Sequence, residues 1–301
     1  MKIKTRRYYI YQLAAIGGFF VAILPLGLGL FLAGLAGKLA FSFGGRARET
    51  ALQNLRLSFP EKSEAELRRI TRDVFSNLAK NLVEWINIYK LSKDNLDRWV
   101  TQVGFDKVER AFSETGKGVI VLSAHFGNWE LASFCFSFSG HRSTAVARRI
   151  YFRGYDKFIN NMRNSKGVNI IYRDDSPKKI LKLLRRNEAF GLLADQDVDS
   201  VEGVFVNFFG RPAYTPKAPV ALSLVSGAPI FPCFVIRENG RHKLILEGPM
   251  ELEKRPTKEE TIKVNTQKWV SIQESYIRKY PEQWVWMHKR WKTKPPEGTK
   301  V

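Results

Sequence analysis

The spacing of apolar positions changes from one stretch of the chain to the next. From Tyr8 to Gly37 there is no polar face, because thirty consecutive residues include no Asp, Glu, Lys or Arg. A helix needs about 20 apolar residues to cross a bilayer, and a signal-peptide core has only about 7–15. Pro25 and Gly27 interrupt the run. Both a tilted span and a hairpin dipping into one leaflet therefore fit the pattern. Lys2, Lys4, Arg6 and Arg7 precede the run, and Lys38, Arg46 and Arg48 follow it. By the positive-inside rule both ends face the cytoplasm. Residues 1–42 are read as a membrane anchor and 43–301 as the unit it carries.

Periodicity then sets in. Ser63 and Glu66 have the spacing of a capping box, and Leu67, Ile70, Val74, Leu78, Leu82 and Trp85 follow helically, predicting a helix over 63–90. Short apolar runs at 118–124, 144–147, 168–172, 189–194 and 230–237 read as strands. Helical patterns lie between most of them, at 129–138, 153–165, 176–186 and 215–226, with a late helix at 258–279. This alternation predicts an α/β fold with a largely parallel central sheet flanked by helices. A second apolar stretch, 218–236, is punctuated by Pro219, Pro229 and Pro232 and reads as a core helix leading into a buried strand. At 301 residues the chain fits one large α/β domain or two of about 150 each.

Hydrophobic residues are 44% and charged residues 26%, which excludes a disordered chain, a collagen-like fibre and a polytopic membrane protein. The net charge of +20 changes the picture more. It implies polyanionic partners: nucleic acid, an anionic membrane, a phosphorylated substrate or an acidic protein. Residues 141–190 hold 13 Lys and Arg against 4 Asp and Glu, nearly half the excess in one-sixth of the chain. Lys178, Lys179 and Lys182 read as a solvated face. Arg148, Arg149 and Arg163 flank strand ends, where a guanidinium fork can hold phosphate. Cys135 and Cys233, both in apolar runs, read as reduced core thiols, with no disulfide framework or zinc knuckle.

The candidate chemistry centres on the run from Gly118 to Ala124, which stops at His125-Phe-Gly-Asn-Trp-Glu130 before an apolar helix. Carboxyl ends of strands are where sites lie in open α/β sheets. Asn128 is placed to cap the helix, His125 on the connecting loop, and Glu130 in the first turn. The strand-to-helix turn lets the carboxylate fold back onto the imidazole, fixing its tautomer and raising its basicity for deprotonating a hydroxyl. The spacing is not H-E-x-x-H and no ligand cluster adjoins it, so no metal is expected. Asp195 ends the strand pattern from Phe190 and reads as a turn cap or a site residue. Phe208, Phe209 and Gly210 read as core and turn, or as the lining of an acyl groove. Trp284, Trp286 and Trp291, interleaved with His288, Lys289 and Arg290, read as an interfacial belt or a core-facing helix, with packing that keeps one face near lipid the favoured form. His141 and His242 read as ordinary packed histidines.

His125-Phe-Gly-Asn-Trp-Glu130 resembles the H-x4-D/E box of glycerolipid acyltransferases. The wider chain resembles the lipid A biosynthesis late acyltransferases, the lauroyl and myristoyl transferases. The shared segments are Asn54-Leu-Arg-Leu-Ser-Phe-Pro60, Leu193-Ala-Asp195-Gln196-Asp197, Gly203 to Gly210, Thr215-Pro-Lys-Ala and Pro281 to Trp291. The resemblance implies transfer of an acyl chain from acyl carrier protein to a hydroxyl of a phosphorylated membrane glycolipid. The site implied is the cytoplasmic face of a bacterial inner membrane, with neither metal nor diffusible cofactor. In that reading His125 is the base and Glu130 orients it. Arg148 or Arg149, together with Arg163, and Asp195 of the D-Q box match substrate-binding positions. Arg148-Arg149-Ile-Tyr stands where the family more usually has Tyr-Arg-Pro, which leaves open which arginine acts. Acylation of another membrane lipid, such as a lysophospholipid, is the alternative within this chemistry. A membrane-tethered polyanion-binding protein is the alternative outside it, although no nucleic-acid-binding signature is present.

Overall fold

The computed structural model describes residues 9, 12 and 16–296; Lys2, Lys4, Arg6 and Arg7 of the flanking-charge pattern lie outside the described residues. Residues 16–23 are helical, and the helix breaks at Leu24–Pro25. Pro25 is extended (ψ 133°) and has no N–H to continue the ladder. Helix α1 (Leu26–Phe43) follows, long and apolar enough to cross a membrane. One stripe of α1, Gly29, Ala33, Gly37 and Phe41, is buried. It packs against α3 (Glu64–Ile86), which follows α2 (Gly45–Ser58). A Cβ on Gly37 would lie 2.5 Å from the Phe75 carbonyl oxygen, so only glycine permits this approach. The Ser76 hydroxyl donates to the Gly34 carbonyl at 3.1 Å across the same seam. On the opposite side Phe31, Leu35, Leu39 and Phe43 stay exposed. The Ser63–Glu66 capping box opens α3 as the sequence predicts.

The rest of the chain runs α4 (Leu96–Trp99), β1 (Val100–Val103), α5 (Phe105–Thr115), β2 (Val119–Gly127), α6 (Glu130–Phe138), β3 (Ser143–Ala147), α7 (Arg153–Ser165), β4 (Val168–Tyr172), α8 (Pro177–Arg185) and β5 (Ala189–Leu193). It continues with β6 (Gly203–Phe208), β7 (Arg211–Pro216), α9 (Ala218–Ser226), β8 (Ile230–Glu238), β9 (Arg241–Leu246) and α10 (Lys258–Lys279). Seven strands form one sheet in the order β1-β9-β8-β2-β5-β3-β4. All pairings in it are parallel except the β8–β9 hairpin. The predicted α/β class is therefore the observed one. Ile120, Leu122 and Phe126 of β2 face one core cluster, with Val119 and Val121 in the other, so the strand is buried on both sides.

Two expectations are corrected. The helix drawn from residue 215 starts at Ala218, because 203–216 form a separate antiparallel hairpin, β6–β7, turned by Phe209 and Gly210 at positive φ. The tryptophan-rich tail is not a lipid-facing belt. Trp284 and Trp286 are at most 1% exposed and pack with Phe59, Phe208 and Phe209 in the core.

Candidate active site

Strand β2 does not stop at Ala124 as its apolar run suggests. Pairing with β5 ends at Ser123, where the register against β8 shifts. The C-terminal tail then takes over the strand edge. The Val285 N–H donates to the His125 carbonyl at 3.1 Å, and Phe126 bridges Trp284. His125 is thus the last side chain but two of an extended strand rather than a loop residue. Gly127 has φ +55°, and a Cβ there would lie 1.6 Å from the Val235 carbonyl oxygen, so no other residue fits.

Register explains what sits beside His125. Ser123 pairs with Leu193 in the parallel β2–β5 ladder, so the residues two further along, His125 and Asp195, emerge side by side. Asp195 Oδ1 is 2.8 Å from His125 Nδ1, while Oδ2 accepts the His125 backbone N–H and the Trp284 indole N–H, each at 2.9 Å. Burial pushes the Asp195 carboxyl upward. The facing imidazolium and these three donors outweigh burial and hold it at about 2. Burial pulls His125 down, but Asp195, with Glu130 adding to it, raises it above its usual 6.5. Nδ1 is engaged and Nε2 makes no hydrogen bond among the described residues. His125 lines a cleft of about 400 Å³ with Arg148, Arg173, Gln196, His288 and Lys292.

The expectation that Glu130 folds onto the imidazole is corrected. Its oxygens accept from Arg163 Nε at 3.0 Å and Nη2 at 2.5 Å, a bidentate pair with both side chains less than a fifth exposed. The pair borders a narrow apolar cavity of about 80 Å³ under α6, lined also by Trp129, Phe136 and Leu193. Arg148 borders the His125 cleft, whereas Arg149 does not. Arg149 stacks on Tyr172 at 3.8 Å and stands 3.9 Å from Asp174, largely exposed. Asn128 does not cap α6; Trp129 holds that position without a side-chain bond.

Asn128 instead donates to Glu84 Oε2 at 2.8 Å inside a network invisible to local pattern. Glu84, 2% exposed, also accepts from His242 Nε2 at 2.8 Å and pairs with Arg237. Burial pushes its carboxyl up, and these partners bring it down to about 2. Asn81 joins Arg237 to the Gly127 carbonyl, at 2.7 and 2.6 Å. His242 is therefore part of an ion-paired brace behind the His125 strand end. The D-Q box and the aromatic tail were visible in sequence, but their convergence on His125 was not. The thiols of Cys135 and Cys233 are buried, and burial pushes Cys135 up to about 12. Among the described residues no group of His, Cys, Asp and Glu is arranged to hold a metal ion.

A buried carboxylate, an oriented imidazole with one free nitrogen and an adjoining cleft can deprotonate a hydroxyl. Comparison with known proteins narrows the substrate. Residues 1–293 match the family described as bacterial lipid A biosynthesis acyltransferase. The chain is 27% identical over 274 residues to the lipid A biosynthesis palmitoleoyltransferase of Escherichia coli, covering 90% of this chain and 87% of that one. It is 28% identical over 283 residues to the lauroyltransferase of the same organism, covering 91% and 86%. A phosphatidylinositol mannoside acyltransferase of Mycobacterium tuberculosis is 28% identical over 158 residues, 49% of each chain.

Proposed function

The chain belongs to the bacterial lipid A biosynthesis acyltransferases, and on that premise we propose the donor, the acceptor and the residues that act. The donor is an acyl-carrier-protein thioester. The acceptor is a hydroxyl of a phosphorylated lipid A-type glycolipid in the bacterial inner membrane. One observation supports the mechanism above others: Asp195 holds Nδ1 of His125 while Nε2 is unpaired beside a cleft.

Nε2 takes the acceptor hydroxyl's proton as its oxygen attacks the thioester carbonyl. Asp195 balances the imidazolium that forms. The tetrahedral intermediate collapses, the C–S bond breaks, and the departing thiolate takes the proton from Nε2. Arg148 at the cleft supplies positive charge to the oxyanion. Glu130 acts at one remove: its charge favours the imidazolium, and Arg163 fixes its position. The exposed side of α1 lies in the cytoplasmic leaflet, so residues 1–42 anchor a catalytic domain of 43–301. A second reading keeps this chemistry with a different glycolipid, favoured by the mycobacterial relative, which matches 49% of the chain.

Mass spectrometry of lipids from cells with and without the protein identifies acceptor and acyl chain together. Purified His125→Ala should lose ~10²–10⁴-fold in turnover. More than half of wild-type transfer by that variant would sink the reading of His125 as base.

A further inference from the structure

A second cleft lies beside the first. It has a volume of about 520 Å³ and is lined by Thr50 and Gln53 of α2, Arg211 of β7, and Lys289, Trp291, Lys292 and Lys294 of the tail. No acidic residue lines it. Lys292 is 3.0 Å from Asp199, but Arg211, Lys289 and Lys294 have no ion-pair partner among the described residues. Lys292 also lines the His125 cleft, so it is a wall common to the two cavities. The tail that carries the lysines is fastened at Thr293, whose N–H and hydroxyl donate to Asp197 at 2.8 and 2.7 Å.

We propose that this cleft binds the phosphate-bearing sugar headgroup of a membrane glycolipid. Arg211, Lys289 and Lys294, gathered without ion-pair partners among the described residues, repel one another, and an anion among them relieves that cost. A guanidinium beside ammonium groups suits a phosphate, with the fork binding two oxygens and the lysines adding point charge. The volume is that of a small-molecule site, roughly 300–1,000 Å³, and far exceeds a single ion. Thr50 and Gln53 offer hydroxyl-binding groups, and Trp291 an apolar ring. Only Gly44 separates α2, which forms one wall of the cleft, from the exposed apolar helix α1. The site rests on this geometry alone. Its ligand being the acyl acceptor rests on the acyl-transfer reading.

Calorimetry on the full-length protein in detergent at low salt tests the site with four probes: glucose 1-phosphate, glucose, glycerol 3-phosphate and inorganic phosphate. Glucose 1-phosphate should bind and glucose should not. The double variant Arg211→Ala/Lys294→Ala should weaken glucose 1-phosphate about tenfold, and His125→Ala should leave it unchanged. Wild-type affinity in the double variant overturns the site. Equal or tighter binding of glycerol 3-phosphate or inorganic phosphate overturns the sugar headgroup in favour of a phospholipid head or free phosphate. In acyl-transfer assays the double variant should raise acceptor KM about tenfold with kcat within about twofold. If the wild type transfers no acyl chain, the acyl-transfer reading fails while the calorimetric result still judges the cleft.

Discussion

Asp195 is where a single side chain sets the orientation and charge environment of His125. Its pairing raises the imidazole above 6.5, so on the proposed mechanism, in which neutral His125 accepts the proton, the acid limb of kcat/KM should lie above that value. Asp195→Asn keeps the shape and removes the charge. It should lower kcat by ~10²–10⁴-fold and move the acid limb to lower pH, and a pH–rate profile of both proteins checks it. An unmoved limb would mean another group sets it. In stability the sign is that of a depressed carboxylate. The contribution of Asp195 is complete above the ordinary value of 3.8 and disappears as pH falls toward about 2. The two adjacent arginines separate at the same scale. Arg148→Ala should cost ~10²–10³-fold in kcat if it serves the oxyanion, and the stacked, exposed Arg149→Ala should stay within about twofold. Steady-state kinetics of the pair decides between them.

Elements meet through places where only a glycine fits. Gly127 lets the end of β2 pass against β8, delivering His125 on one side and Asn128 on the other. Gly127→Ala should destabilise the protein by at least ~2 kcal/mol, from positive φ together with the clash on Val235, read as a lower melting temperature in detergent. Gly37 does the same for the α1–α3 seam. Gly37→Leu should force the helices apart, and cysteine cross-linking between Gly29→Cys and Val83→Cys, whose positions adjoin across the seam, would lose yield in that background. Unchanged cross-linking would show that the seam tolerates bulk.

Across the whole molecule, Glu84 ties α3, β8, β9 and the segment after His125 into one brace. Removing it strands Arg237 and His242 in the interior, so Glu84→Ala should cost ~3–5 kcal/mol in denaturant unfolding. A cost below about 1 kcal/mol would mean the charges find water instead. The same α3 carries α1, whose outer face exposes Phe31, Leu35 and Leu39 by half or more. Leu35→Lys with Leu39→Lys leaves the buried stripe intact and should release the protein from carbonate-washed membranes. Full retention would mean that other surfaces hold the bilayer.

Periodicity and punctuation are local, and what depends on them was legible in the sequence. The capping box, the helix over 258–279, the strand over 168–172, the break at Pro25 and the α/β class all follow from residues within one turn or one strand of each other. His125 at a strand end was legible for the same reason. Its partner was not. Glu130, five residues on, was the nearest carboxylate in sequence, but Asp195 is two residues past a strand that the chain inserts between β2 and β3 only after making β3 and β4. Strand order and register are set by which apolar faces bury best together, a sum over the whole core that no short window contains. The same holds for the tail: its tryptophans read alike at a lipid surface or in a core until Asp195, Phe208 and Phe59 surround them. Sequence determined the elements and the chemistry available, and tertiary packing decided which charges face each other.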